Sequence, residues 1–315
     1  MKLFWIIFWI VLAFLVFTGA FFLIYPGFLI YKILLVRTKP EKWNRFYEGN
    51  SDDELTIIHK LGMQWGEKYD AFRTDVEIRS DGLKLVGQYF DFGSDRAVII
   101  VPGRMEALYY SMHYAEPYRA AGLNVLVIDN RAHGNSEGKY NSAGFKEWAD
   151  VLKWAEFLHD KGNRKIMLHG ICVGSATVLY AMTSDKCPDY VCCMAADGMY
   201  ETFKETTANH FKERKKPLFP ALNIVLWKLK KQCGVDPAKE GPITYIEKMN
   251  KPILFLHGVK DEFSFADKAQ GLYDKCPSKD KRIVWFSEGK HSRLRMHNES
   301  EYDGAIIDFT KDYMS

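Results

Sequence analysis

The sequence predicts an α/β fold with a largely parallel sheet, carrying a small helical lid and an N-terminal transmembrane helix. Three observations lead there. From Ala97 onward, short and mostly apolar runs alternate with helical stretches, the pattern of parallel strands covered on both faces. The stretch Lys165–Val178 reads as a strand reversing into a helix through Gly170-Ile-Cys-Val-Gly174. Leu3 to Tyr31 contains no charged residue, more than the roughly 20 residues a helix needs to cross a bilayer.

The apolar N-terminal run is too long for the core of a cleavable signal, and Thr18-Gly19-Ala20 is followed by more apolar sequence. It therefore reads as a membrane anchor over residues 1–35. Pro26-Gly27 is expected to end or bend the helix, with Phe28 to Leu35 continuing along the interface. Lys2 precedes the span, while Lys32, Arg37, Lys39, Lys42 and Arg45 follow it, which points to a cytosolic bulk. Residues 36–72 read as a linker and helical spacer, with a helix near Asp52–Trp65.

One α/β domain is expected over 73–315. It opens with a hairpin, Thr74–Arg79 and Leu83–Phe90, around Asp81-Gly82. Strands follow at Ala97–Val101, Asn124–Ile128, Lys165–His169, Tyr190–Ala196, Ile253–His257 and Arg282–Trp285. Helices fit at Met112–Ala121, Gly144–Lys161, Ser175–Ser184, Phe265–Lys275 and Ser300–Tyr313. The excursion between Ala196 and Ile253 is too long for a crossover and should form the lid, about 199–250. Its stretch Leu218–Trp227, flanked by lysines and Arg214, reads first as a helix packed on the core and second as an interfacial helix.

With 43 basic against 40 acidic side chains, net charge +3, dispersed along the chain, there is no electrostatic case for a nucleic-acid partner. The six cysteines fall in no metal-binding spacing and read as free thiols; no cofactor or metal is expected.

The chemistry sits on the elbow. Gly170 and Gly174 leave Cys172 pushed out above the sheet edge, at a helix N-terminus whose unpaired N–H groups favour a thiolate. Such a nucleophile needs a base and an acid later in the chain. Asp261 follows the strand Ile253–His257, and His291 follows the strand at Arg282, both on loops at strand C-terminal ends, where α/β sites gather. His291 would take the Cys172 proton, and Asp261 would orient the imidazole. Asp197 is a second candidate for the acid, while His113, His133, His169 and His257 read as loop or core residues. An oxyanion hole is expected from the backbone N–H of Val173 and, after the strand Ala97–Val101, of Arg104, with Gly103 or Met105 as alternatives.

Together these residues resemble the α/β-hydrolase superfamily, in particular serine-aminopeptidase-like and prolyl-oligopeptidase-related, membrane-anchored bacterial hydrolases, from about Thr74 to the C-terminus. Asp129-Asn-Arg-Ala-His-Gly-Asn-Ser-Glu-Gly138 is similar to that family's Asp-x-Arg-Gly-His-Gly-x-Ser-x-Gly loop, and Cys172, Asp261 and His291 fall at its triad positions. The chain departs from the pattern at Cys172 for Ser, Pro102 for His and Ala132 for Gly. A cysteine elbow is similar to those of dienelactone hydrolases and polyhydroxyalkanoate synthases, which implies activated esters or thioesters. The expected activity is ester or thioester hydrolysis on a small-molecule acyl substrate, lipid-like if the lid meets the membrane. Acyl transfer on the same fold, or a catalytically degenerate binding module, are the alternatives.

Overall fold

A computed structural model describes residues 1–39 and 53–315; Lys42 and Arg45 of the basic flank lie outside the described residues. The chain opens with α1 (Lys2–Leu35), a helix long and apolar enough to cross a membrane. It does not end at Pro26-Gly27. Pro26 deprives the helix of one hydrogen bond, yet the turns beyond it are held from outside by packing on the lid, and the helix continues to Leu35.

Next comes α2 (Glu54–Lys68), which packs on the domain where a spacer was expected. Its Ile58 is fully buried and its Trp65 lies against Phe90, with ring centroids 4.8 Å apart. An amphipathic helix with such a face gains more from the core than from solvent.

β1 (Arg73–Ser80) and β2 (Leu83–Phe90) form the expected hairpin, and both turn residues adopt the left-handed conformation, Asp81 at φ 52° and Gly82 at φ 76°. β3 (Arg96–Val101) is followed by α3 (Leu108–Met112), which was not expected, and α4 (Glu116–Ala120), which starts later than the expected helix Met112–Ala121. The ring of Pro117 would strike the carbonyl of His113 in an unbroken helix, so the chain breaks there. β4 (Asn124–Ile128), α5 (Glu147–Asp160), β5 (Lys165–Ile171), α6 (Val173–Met182) and β6 (Val191–Asp197) complete the first half. The lid follows as α7 (Phe203–Glu213), α8 (Ala221–Cys233) and α9 (Pro242–Tyr245). β7 (Ile253–Gly258), α10 (Ala266–Lys275), β8 (Lys281–Phe286), α11 (Leu294–His297) and α12 (Glu299–Met314) close the chain.

The eight strands form one sheet in the order β1-β2-β4-β3-β5-β6-β7-β8. β1 and β2 are antiparallel, and every neighbour pair from β4 to β8 is parallel. Buried clusters cover both faces, one centred on Trp154 and Leu168 under α5 and α6, the other on Tyr118, Met167 and Phe309 under α12 and the α3–α4 segment. A third joins the end of α1 to the lid through Leu35, Tyr180, Val225 and Leu229.

Truncating Ile58 tests whether α2 belongs to the core. Ile58→Ala should cost about 2–5 kcal/mol in denaturant unfolding of the detergent-solubilised protein; a cost near zero would restore the spacer reading.

Candidate active site

β5 runs into α6 with almost no space at the reversal. A Cβ on Gly170 would lie 2.3 Å from the Gly174 carbonyl carbon, and one on Gly174 would lie 2.2 Å from the Val101 carbonyl oxygen. Both positions exclude any side chain, and the residue between them, Cys172, is driven to φ 55° and ψ −114°. The elbow is pinned from below: the Cys172 N–H donates to the Asp197 carbonyl (2.8 Å), and the Ser175 hydroxyl lies within bonding distance of the Gly170 (2.6 Å) and Asp197 (2.9 Å) carbonyls. Val173 then opens α6 with its N–H at the first helical position, directly after Cys172.

Asp261 and His291 meet over this elbow. His291 Nδ1–H donates to Asp261 Oδ2 at 2.7 Å. The other carboxylate oxygen accepts from the N–H groups of Phe263 (2.9 Å) and Ser264 (2.8 Å), which fixes its rotamer. Asp261 is buried, which alone would raise its pKa, but the facing His291 imidazolium and these donors hold it below the usual carboxylate value. Burial likewise works against a charged His291, yet the Asp261 carboxylate outweighs it, with Cys172 adding to the pull, and the imidazole pKa lies well above its ordinary value. His291 Nε2 is buried, and Cys172 is the group that adds to the pull on its proton. Gly198, at φ 63°, gives the ring its room; a Cβ there would lie 3.1 Å from His291 Cε1.

Asp197, the second candidate acid, does not bond His291. Its carboxylate accepts from the Tyr302 hydroxyl (2.9 Å) beneath the sheet edge, and burial raises its pKa to about 7. His169 is buried on the same tyrosine at 3.2 Å, and His257 Nε2–H donates to the Ser264 carbonyl (2.8 Å), behind Asp261. His113 is buried in the break between α3 and α4.

The loop after β3 runs beside the elbow, close enough that a Cβ on Gly103 would lie 3.4 Å from Cys172 Cβ. The Met105 N–H, an alternative donor to an oxyanion, is spent on His133 Nε2 (3.0 Å), and His133 Nδ1–H donates in turn to the Arg131 carbonyl (2.9 Å). Asn130 donates to the Pro102 carbonyl (3.0 Å). The 129–138 loop therefore holds the loop that flanks Cys172, while Arg131 is fixed by a buried double contact with Asp150 (2.7 and 2.8 Å). Ala132 adopts φ 65° without being a glycine.

His133 was read only as a loop residue, and its part in this support was missed. Tyr110 and Tyr114 were missed entirely: both hydroxyls donate to the carbonyl of Ser292 (2.5 and 2.9 Å), next to His291 and itself at φ 59°. No local signal marks them, because their partner lies across the sheet.

A cavity of about 260 Å³ covers the elbow, lined by Leu34, Arg104, Cys172, Phe203, His210 and His291 among others. A larger groove of about 610 Å³, lined by Asp81, Arg131, Trp148 and Tyr190, contains none of Cys172, His291 and Asp261 and lies apart from this chemistry. Among the described residues, no group of acidic, His and Cys side chains could hold a metal ion.

Sheet order, elbow and lid define an α/β-hydrolase. Residues 109–315 match the prolyl oligopeptidase family, and the chain belongs to that family. It is 30% identical over 217 residues to the uncharacterized protein YqkD of Bacillus subtilis, spanning 67% of this chain and 70% of that one. An uncharacterized membrane protein of Saccharomyces cerevisiae is 27% identical over 200 residues, 62% of either chain. Among solved structures, the Pyrococcus furiosus esterase Pf2001 superimposes with a TM-score of 0.67 at 25% identity, covering 79% of this chain and 96% of the esterase.

The raised His291 pKa gives a signed prediction. Its protonated form is favoured in the fold, so the pair's stabilisation is complete below the ordinary imidazole value of about 6.5 and is lost as pH rises through the raised value. A ¹⁵N-histidine NMR titration should find His291 charged above that ordinary value, and Asp261→Asn should bring the midpoint down. An unchanged midpoint would show that the carboxylate does not set it.

Proposed function

We propose that this α/β-hydrolase cleaves carboxylic ester or thioester bonds through a covalent thioacyl intermediate on Cys172. The observation that carries the reading is the Asp261–His291 hydrogen bond of 2.7 Å poised over a cysteine held at φ 55° between two obligatory glycines. The likeness to an archaeal esterase supports the ester class.

In the first half-reaction Cys172 Sγ, its proton already held on His291 Nε2, attacks the acyl carbonyl carbon. The Asp261 carboxylate stabilises this imidazolium. The oxyanion is met by the backbone N–H of Val173 and that of Arg104; the Met105 N–H is already bonded to His133. Collapse of this intermediate breaks the C–O or C–S bond, and His291 returns its proton to the departing alkoxide or thiolate. Water, deprotonated by His291, then attacks the thioacyl carbon, and Cys172 leaves as the thiolate with the proton kept on His291. Esters and thioesters suit a cysteine better than amides, because the thiolate is itself a good leaving group and competes with expulsion of an amine.

Cys172→Ala should lower esterase turnover by roughly 10³-fold or more, and His291→Ala should lower kcat/KM by about 10²–10⁴-fold, measured on p-nitrophenyl esters. Wild-type rates in Cys172→Ala would remove the thioacyl mechanism.

We further propose that α1 anchors the enzyme with the hydrolase domain in the cytosol, from the basic residues that follow the span. Protease added to right-side-out vesicles should leave the domain intact and digest it in inverted ones; the opposite pattern would reverse the orientation.

A further inference from the structure

The apolar helix does not stop where the hydrolase domain begins. Between Leu3 and Tyr25 its large apolar side chains are exposed. At Gly27 it meets the lid: a Cβ there would lie 2.5 Å from Ile224 Cδ1 and 3.2 Å from Ala221 Cα, an approach that only glycine permits without displacement. Beyond this crossing Tyr31 is buried, and its hydroxyl accepts from the Gln232 amide of α8. The Lys228 ammonium lies 5.2 Å from the Phe28 ring.

The last turn enters the catalytic half of the molecule. Leu35 is fully buried and its carbonyl accepts from the Asn141 N–H (3.0 Å). The Arg37 guanidinium donates to the carbonyls of Gly134 (2.7 Å) and Ser136 (2.8 Å), in the loop that supports Met105. Leu34 lines the cavity over Cys172, and its carbonyl accepts from the Arg104 guanidinium at 3.4 Å. At 1.5 Å per residue, Leu34 stands only about 10 Å along the helix from Gly27.

The other side of the same turns stays apolar and exposed, with Leu29 and Ile33 uncovered. Beside them the lid exposes Phe219 and Trp227, with Lys231 4.5 Å over the Trp227 ring. Aromatic rings with lysines at the end of a span are the composition of a membrane–water boundary. The cavity is thus walled by the membrane helix and sits about two turns from the lipid.

From this placement we infer that the end of α1 is a wall of the acyl-binding cavity, that Leu34 is a specificity-determining residue, and that the substrate is a medium- or long-chain acyl ester or thioester entering from the bilayer. The inference rests on Cys172 as the nucleophile. Full-length protein in phosphatidylcholine liposomes, assayed on p-nitrophenyl esters from acetyl to palmitoyl, should favour dodecanoyl over acetyl by about tenfold or more in kcat/KM. Leu34→Trp, which fills the wall, should lower that ratio at least about tenfold, and Leu34→Ala should move the optimum to longer chains. The opposite directions keep the test decisive if the bulky variant fails to fold. A wild-type preference for acetyl, or one ratio shared by wild type and the folded variants, would overturn the inference. Cys172→Ala run alongside separates the readings: wild-type rates there overturn the nucleophile, whereas an inactive Cys172→Ala with a ratio independent of Leu34 overturns the wall alone.

Discussion

Backbone pressed on backbone at the reversal from β5 to α6 is the constraint on which the site depends. Gly170 faces the first turn of α6 and Gly174 faces the end of β3, each with no room for a methyl group. This contact closes the helix onto the sheet and leaves Cys172 in a conformation that a non-glycine residue rarely adopts. The same closeness brings the loop after β3 alongside the thiol, so the proposed nucleophile and the proposed oxyanion donors come from two strands that are neighbours in the sheet.

Around that contact the structure adds supports that work at one remove. His133 takes up the Met105 N–H, Asn130 the Pro102 carbonyl, and Tyr110 and Tyr114 the Ser292 carbonyl. Asp129, whose pKa burial raises to about 6, accepts from Leu108 and Asn135 N–H groups and closes its own loop. Each of these bonds satisfies a buried group that would otherwise carry a desolvation penalty, and each fixes a backbone segment of the loops around the candidate site.

Much of this was legible in the sequence because its signals are local. The Asp81-Gly82 turn, the apolar strands and the glycines flanking Cys172 announce themselves within a few residues, and Asp261 and His291 follow strands whose ends could be placed. What the sequence hides is mostly long-range. The apolar face of α2 is local but its partner, Phe90 among others, is not, and nothing near Tyr110 points to Ser292; the break at Pro117 alone has a local cause. Of the end or bend expected at Pro26-Gly27, the end is absent for a related reason: a proline and a glycine argue against helix in isolation, whereas here the glycine is where two helices touch.

The docking of α1 also decides how the enzyme can move. A flexible tether lets a domain tumble above a bilayer and present any face to it. A helix whose final turns are bonded to the lid at Tyr31 and to the core through Leu35 and Arg37 transmits torque. Under the proposed anchoring, tilting or spinning the helix tilts or spins the cavity by the same angle, which would make local bilayer thickness and curvature mechanical inputs to the height and bearing of the site.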